Sequence, residues 1–238
     1  DPQNQFMVTM GMRGIHDGAM VGPRDTSQRV AAMETIIQSQ RQMLTRNLEL
    51  PLEQIPHVLI PYKEVLELYN AGMAVPDDVT LMWTDDNYGY IRRLSDKREQ
   101  ARSGGSGVYY HISYWGRPHD YLWLDSTQPG LIWLEMMRAY QNDARKVWIL
   151  NVGDIKPAEY ATEFFLDMAW DINSIGHDGI QQHMQDWASR EFGSEHAEAI
   201  AEIRSEYYRL AMLRKPEFMG WSQVEVPKAW NTPTGPTE

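Results

Sequence analysis

Six carboxylates in this chain stand where they could do acid–base work: Asp17, Glu64, Asp85, Asp86, Asp120 and Asp154. Each comes shortly after an apolar run, so each can sit at the end of a buried segment and face a common rim. A protonated carboxyl group can give a proton and an ionised one can take it, so two from different segments can divide one reaction between them. Asp17 lies in a turn flanked by glycine, where the backbone lets a carboxylate approach a ligand closely. Glu64 lies just past an apolar run, beside Tyr62 and Lys63. These two are the first choice for catalysis. Arg13, four residues before Asp17, can offer a bidentate fork to an acidic ligand, and Lys63, Arg92 and Arg93 are further cations near the same rim. In the run VYYHISYWG, strand alternation puts His111 and Ser113 on one face and Tyr110, Ile112 and Tyr114 on the other. His111 supplies hydrogen-bonding nitrogens, and Tyr114 or Trp115 an apolar platform.

Each of these residues also has a plainer reading. Asp17 could cap a turn, and Glu64 could be a first-turn helix residue favoured by the macrodipole. Asp85 and Asp86, which precede Asn87, could order a loop or cap a helix. Asp154 reads as a cap before Pro157, and Arg92 and Arg93 as an exposed pair held by surface ion pairs. His111 could be a core histidine with satisfied nitrogens. His16, Asp17, His111, His119, Asp85 and Asp86 are of types that ligate divalent ions, but no HxH or HExxH spacing is present, so no metal or other cofactor is assigned. GGSG precedes a strand instead of following one, which is wrong for a dinucleotide fingerprint, and no GxSxG elbow is found.

The residues must be positioned by the apolar runs themselves. Strands are expected near 6–12, 57–62, 79–83, 108–114 and 146–151, with helices near 26–48, 63–71, 131–142 and 157–174. Asp25, Thr26 and Ser27 offer N-caps to the first helix, Pro157 suits the first turn of another, and SGGSG at 103–107 reads as a tight loop entering the fourth strand. Strand–helix alternation specifies a parallel sheet whose strand C-termini gather the polar residues. Five βα units fall short of eight, so the expected fold is α/β: the later part of a (β/α)8 TIM-type barrel over residues 1–174. An α-helical segment and connector then occupy 175–238. In that segment, helices are expected at 178–190 and 195–214, the second with Ala197, Ile200, Ala201, Ile203, Tyr207, Leu210 and Ala211 on a broad apolar stripe. Trp133, Trp148 and Trp170 are expected in the core, and the chain from Pro216 reads as an extended connector. A start at Asp1 that runs almost at once into a strand reads as a piece of a longer protein.

Composition excludes several classes. The 238 residues carry a formal net charge of -11, so there is no basic face for nucleic acid and no polybasic patch for an anionic membrane. With no cysteine, disulfide and thiolate chemistry are out. No apolar stretch approaches the roughly 18 residues of a membrane span.

The motifs MRGIHDGAMVG, WTDDNYGYIRRL, GGSGVYYHISYWGRPHDYLWL and VWILNVGDIKPAEY, in this order from about Phe6 to Ser174, resemble glycoside hydrolase family 115, the xylan α-1,2-glucuronidases. The resemblance implies a multidomain protein around a (β/α)8 barrel. It implies release of glucuronic acid, or its 4-O-methyl ether, from O2 of xylose in glucuronoxylan, with inversion and without a cofactor. It implies catalytic roles for Asp17 and Glu64 and substrate contacts at Arg13, His16, Tyr62, Lys63, Asp85, Asp86, Asn87, His111, Tyr114 and Trp115. Glycoside inversion needs a carboxylic acid for the leaving oxygen and a carboxylate for water about 6.5–9.5 Å away, a separation that the ends of different strands suit. The implied partner is glucuronoxylan or its oligosaccharides, with a homodimer of the full-length protein left open. A polymeric substrate implies a secreted or periplasmic protein. Noncatalytic carbohydrate binding by the same rim is the first alternative, and a metal-dependent barrel hydrolase the second.

Overall fold

The computed structural model describes residues 6–15, 18–116 and 121–219. Its elements run β1 (Val8–Thr9), α1 (Thr26–Leu48), β2 (His57–Leu59), α2 (Glu64–Asn70), β3 (Thr80–Thr84), α3 (Lys97–Gln100), β4 (Ser106–His111), α4 (Pro129–Gln141), β5 (Trp148–Asn151), α5 (Glu159–Trp170), α6 (Ile180–Phe192) and α7 (Ala197–Leu213). The five strands form one sheet in sequence order. Pairing is parallel from β1 to β4, and Val108 N–H donates to the carbonyl of Val147 as Ile112 N–H does to that of Asn151, so β4 and β5 also advance together. This is the expected partial (β/α) barrel followed by helices.

Two compact units share the chain. The first comprises the residues up to Thr84 with Arg92–Tyr109 and Ala139–Trp148, and the second Asp85–Ile91, Tyr110–Arg138 and the residues from Ile149 on. In the first unit α1 begins and ends where its sequence pattern does. The Asp25 carboxylate accepts the Gln28 N–H at 3.0 Å, occupying a donor the helix cannot satisfy internally, and Met33 and Ile37 are buried. Those two pack with Leu59, Leu81 and Trp83 into one apolar core. His57–Leu59 and most of Thr80–Thr84 are buried on both faces, as parallel strands covered by helices must be. Gly107 lies so close to the carbonyl of Val147 that a Cβ there would overlap it, so glycine is required where β4 meets the chain entering β5.

The strand ends differ from expectation for local reasons. Gly11 has φ +87°, and its left-handed backbone stops β1 well short of residue 12. Pro61 has no N–H to continue the ladder beyond β2. Arg93 is half-buried, not a surface anchor: its guanidinium lies 4.2 Å from the Trp83 ring centroid and 2.7 Å from Glu99.

In the second unit α5 buries Tyr160, Phe164 and Phe165, and the Phe165 ring stacks on Tyr110 with centroids 6.0 Å apart. Trp187 of α6 and Tyr208 of α7 complete this core. Four expectations are corrected here. Trp170, the last residue of α5, is 93% exposed. On α7, Ala201, Tyr208 and Ala211 are buried while Ile203 is 70% exposed, so the buried stripe is narrower than the apolar one. Asp154 does not cap α5, whose N-cap is Ala158, four residues further on. The chain from Pro216 also begins as a folded 3-10 turn, Pro216–Phe218, and not as extended connector. No helix among the described residues is long and apolar enough to cross a membrane.

Candidate active site

The polar groups of the first unit follow β1 and β2. After β1, the Gln40 side chain clamps Gly11, accepting its N–H at 2.8 Å and donating to its carbonyl at 3.0 Å, which fixes the chain entering Arg13. After β2, the chain turns through Tyr62 and Lys63 so that Glu64 opens α2. Lys63 takes φ +50°, a conformation that costs a residue with a side chain on the order of 1 kcal/mol or more.

Arg13 donates through Nε to Glu64 Oε1 at 2.9 Å and through Nη2 to Oε2 at 3.2 Å, a bidentate fork. Arg13 and Lys63 both lie over the Tyr62 ring, at 5.1 and 4.9 Å from its centroid. Burial pushes the Glu64 carboxyl upward. The Arg13 bond, the backbone N–H and the charges of Arg13 and Lys63 together outweigh that push and hold it below the usual carboxylate range. Glu64 is therefore ionised near neutral pH, the state of a general base, with 14% of its side chain exposed. The Arg13 fork expected to meet an acidic ligand is engaged with Glu64 instead.

In the second unit Asp85 is the residue after β3 and His111 the last residue of β4. Asp85 Oδ1 accepts the backbone N–H of His111 at 3.0 Å and pairs with its Nδ1 at 2.7 Å, while Oδ2 accepts Gly89 N–H at 3.1 Å. That pairing favours the tautomer with its proton on Nδ1 and fixes the ring plane. With 0% of its side chain exposed, Asp85 is sealed from solvent beside His111. Gly89, at φ +90°, is required because a Cβ would stand 2.8 Å from the Tyr110 hydroxyl, which donates to the Gly89 carbonyl. Asp86 accepts the N–H groups of Tyr88 and Tyr90 at 3.1 and 3.2 Å, so it orders the turn that carries Asn87 at φ +74°.

Tyr114 sets its ring edge-on to His111, with centroids 5.8 Å apart. Trp115 is 64% exposed, and its indole and the Ser113 hydroxyl crowd Gly153 so closely that a Cβ there would overlap the indole nitrogen. A cleft of about 280 Å³, counting its open mouth, is lined by Asn87, Tyr88, Ser113, Tyr114, Lys215 and Glu217 among others. The structure thus brings Arg13, Tyr62, Lys63 and Glu64 together in one group. Asp85 and His111 are joined in the other, with Tyr114 against His111 and with Asn87 and Tyr114 on the cleft. Asp17, His16, His119 and Asp120 lie outside the described residues.

A model of the family described as glycosyl hydrolase family 115 matches residues 2–218. The chain belongs to glycoside hydrolase family 115. A similar solved structure is a family 115 4-O-methyl-alpha-glucuronidase described as having specificity for decorated arabinogalactans. The two are 51% identical with a TM-score of 0.84, over 90% of this chain and 28% of that one. The chain therefore spans a little over a quarter of that relative. No match was found among curated proteins.

This family 115 chain also holds polar residues that sequence reasoning missed. Asp125 accepts the Tyr208 hydroxyl at 2.6 Å and Arg204 Nη2 at 3.4 Å. Burial pushes its carboxyl up to about 6, against the opposing pull of Tyr208, Arg204 and Lys215. Ser126 donates to Glu217 Oε1 at 2.6 Å. No local pattern marks these residues, since partners from α7 and the turn after it lie some 80 to 90 positions away in sequence. Glu163, Asp167 and His183 bring potential metal ligands within 4.8 Å of one another. Arg190 grips both Glu163 oxygens at 2.6 and 2.7 Å and Asp167 pairs with His183 at 2.9 Å, so each of these groups already has a protein partner.

Proposed function

We propose that this chain is part of the catalytic barrel of an α-glucuronidase that removes glucuronic acid, or its 4-O-methyl ether, from a decorated polysaccharide. The single observation that carries the reading is the Arg13 fork on Glu64, which keeps an ionised carboxylate at the end of a barrel strand in a chain of this family. Asp17 and Glu64 are the catalytic carboxylates, and Glu64 enters the reaction ionised. One of the pair activates water for attack at the anomeric carbon. The other protonates the departing glycosidic oxygen, and the anomeric configuration inverts. His111, oriented by Asp85, donates to or accepts from sugar hydroxyls, while Tyr114 and Trp115 offer flat apolar faces to a ring. Arg13, His16, Tyr62, Lys63, Asp86 and Asn87 complete the substrate-binding set by family resemblance. Action on a polymer fits a secreted or periplasmic protein.

Glucuronoxylan, with the uronic acid on O2 of xylose, is the first substrate. Decorated arabinogalactan is the second, favoured by the description of the similar glucuronidase. Time-resolved proton NMR of the full-length protein with each polysaccharide tests the proposal. Early β-anomer of the released uronic acid is expected, and early α-anomer would reject inversion. Binding of either polymer with no release would make the protein a carbohydrate-binding module. Release from arabinogalactan alone would exchange the substrate and keep the chemistry.

A further inference from the structure

We propose that Gln40 of α1 is a positioning residue for the reaction, an inference that rests on the catalytic role proposed for Glu64: its clamp on Gly11 sets Arg13 where the guanidinium can grip both Glu64 oxygens. The need for a clamp comes from the short β1. The Met10 N–H still donates to the carbonyl of Val58 at 2.7 Å, but Gly11, at φ +87°, turns out of the ladder. Its N–H and carbonyl then need partners that a sheet neighbour would otherwise supply. A primary amide carries an acceptor and donors side by side, and Gln40 uses both ends, taking the Gly11 N–H on Oε1 at 2.8 Å and giving an Nε2 proton to the Gly11 carbonyl at 3.0 Å. The side chain stands in for a strand neighbour.

Both ends of the clamp are anchored in the core of the first unit. Gln40 follows the buried Met33 and Ile37 at helical spacing, so it extends the stripe by which α1 packs on the sheet. Gly11 is confined from the other side, since a Cβ there would stand 3.1 Å from Leu59 Cδ1 and 3.3 Å from Met33 Sδ, tighter than side chains normally pack.

The fork depends on that anchoring. Arg13 leaves the end of β1 while Glu64 opens α2 after β2, so their alignment is set by where each chain exits the sheet. Two bonds at 2.9 and 3.2 Å between a planar guanidinium and a carboxylate tolerate little displacement. A chain free to swing at Gly11 would lose the longer bond first, and the Arg13 hold that keeps Glu64 ionised would weaken while burial continued to act.

Kinetics of the full-length protein test this. Gln40→Met keeps the length of the side chain and removes both bonds to Gly11. It is expected to move the acid limb of the kcat/KM profile to higher pH by about half a unit, the direction also expected of Arg13→Met, and to add no further shift when the two substitutions are combined. A purely structural Gln40 would lower the thermal midpoint and leave the limb in place. That outcome, or a further shift in the double variant, would overturn the proposal. Should Gln40→Met not fold, Gln40→Ala, which leaves room for water to meet the Gly11 groups and favours the helix, is judged by the same two criteria. Urea melts across the acid range give a readout that needs no turnover: Gln40→Met should flatten the acid-side loss of stability as Arg13→Met does, again without addition in the double variant. If the wild-type protein releases no uronic acid from any polysaccharide, the glucuronidase reading fails, and the urea profiles alone judge whether Gln40 sets the Arg13 fork.

Discussion

Glu64 and Asp85 are both carboxylates at the ends of barrel strands, yet their surroundings give them opposite uses. Glu64 is held by a side chain, the Arg13 fork, and keeps part of its surface open. Asp85 is held by two backbone N–H groups and the His111 ring, and is sealed. A carboxylate bound by a side-chain cation can exchange partners during a reaction. One bound by backbone is fixed and can only orient what it holds. On the proposed reading, the difference suits the first to chemistry and the second to positioning.

Breaking the first member should have the largest effect. Glu64→Gln in the full-length protein is expected to lower kcat by about 10²–10⁴-fold, with a much smaller loss of thermal stability from the broken Arg13 pair, measured by uronic acid release and calorimetry. Near-native turnover would remove Glu64 from catalysis. Asp85→Asn should come next. It replaces an acceptor of His111 Nδ1–H with a group that can also donate, so kcat should fall about 10–100-fold and stability by about 1–3 kcal/mol. A loss of stability with full turnover would reduce Asp85 to a loop-ordering residue.

A subtler change sharpens the contrast. Arg13→Met removes the bond and charge that hold Glu64 low and leaves burial to act, so its pKa rises. The acid limb of the kcat/KM profile should then move to higher pH. For stability, the folded-state pKa of Glu64 is depressed, so its contribution is present above the unfolded value of 4.5 and is lost as pH falls through the lower folded one. Arg13→Met should flatten that acid-side loss in urea melts.

The smallest effect concerns Asp125, a third carboxylate with the opposite shift. Its folded pKa of about 6 lies above the unfolded 3.8, so its contribution is full below about 4 and is lost as pH rises through about 6. Asp125→Asn should remove that slope from the stability profile. An unchanged slope would place its source elsewhere.

Much of the fold was legible locally. Cap residues and periodicity gave α1 its observed ends, and the apolar runs marked all five strands to within a few residues. The polar residues near the strand ends were legible as types and positions, because chain order sets them. Their partners were not. That Arg13 grips Glu64 and that Asp85 lies beneath His111 depends on how strands far apart in sequence pair. Trp170 shows the limit from the other side, since an aromatic residue in an apolar segment still lies exposed at the end of its helix.

What the sequence determined by itself was the parallel βα order, the acidic balance and which residue types reach the strand ends. Hydrophobic periodicity and chain connectivity specify those without reference to distant neighbours. Only the tertiary structure decided that Lys215 and Glu217, past the last helix, line a cleft with Ser113 and Tyr114. It alone also set which carboxylate stays ionised, which is sealed and which is pushed up to about 6. The reason is that burial and the charges around a group fix its protonation and its role, and both arise only when separate parts of the chain pack together.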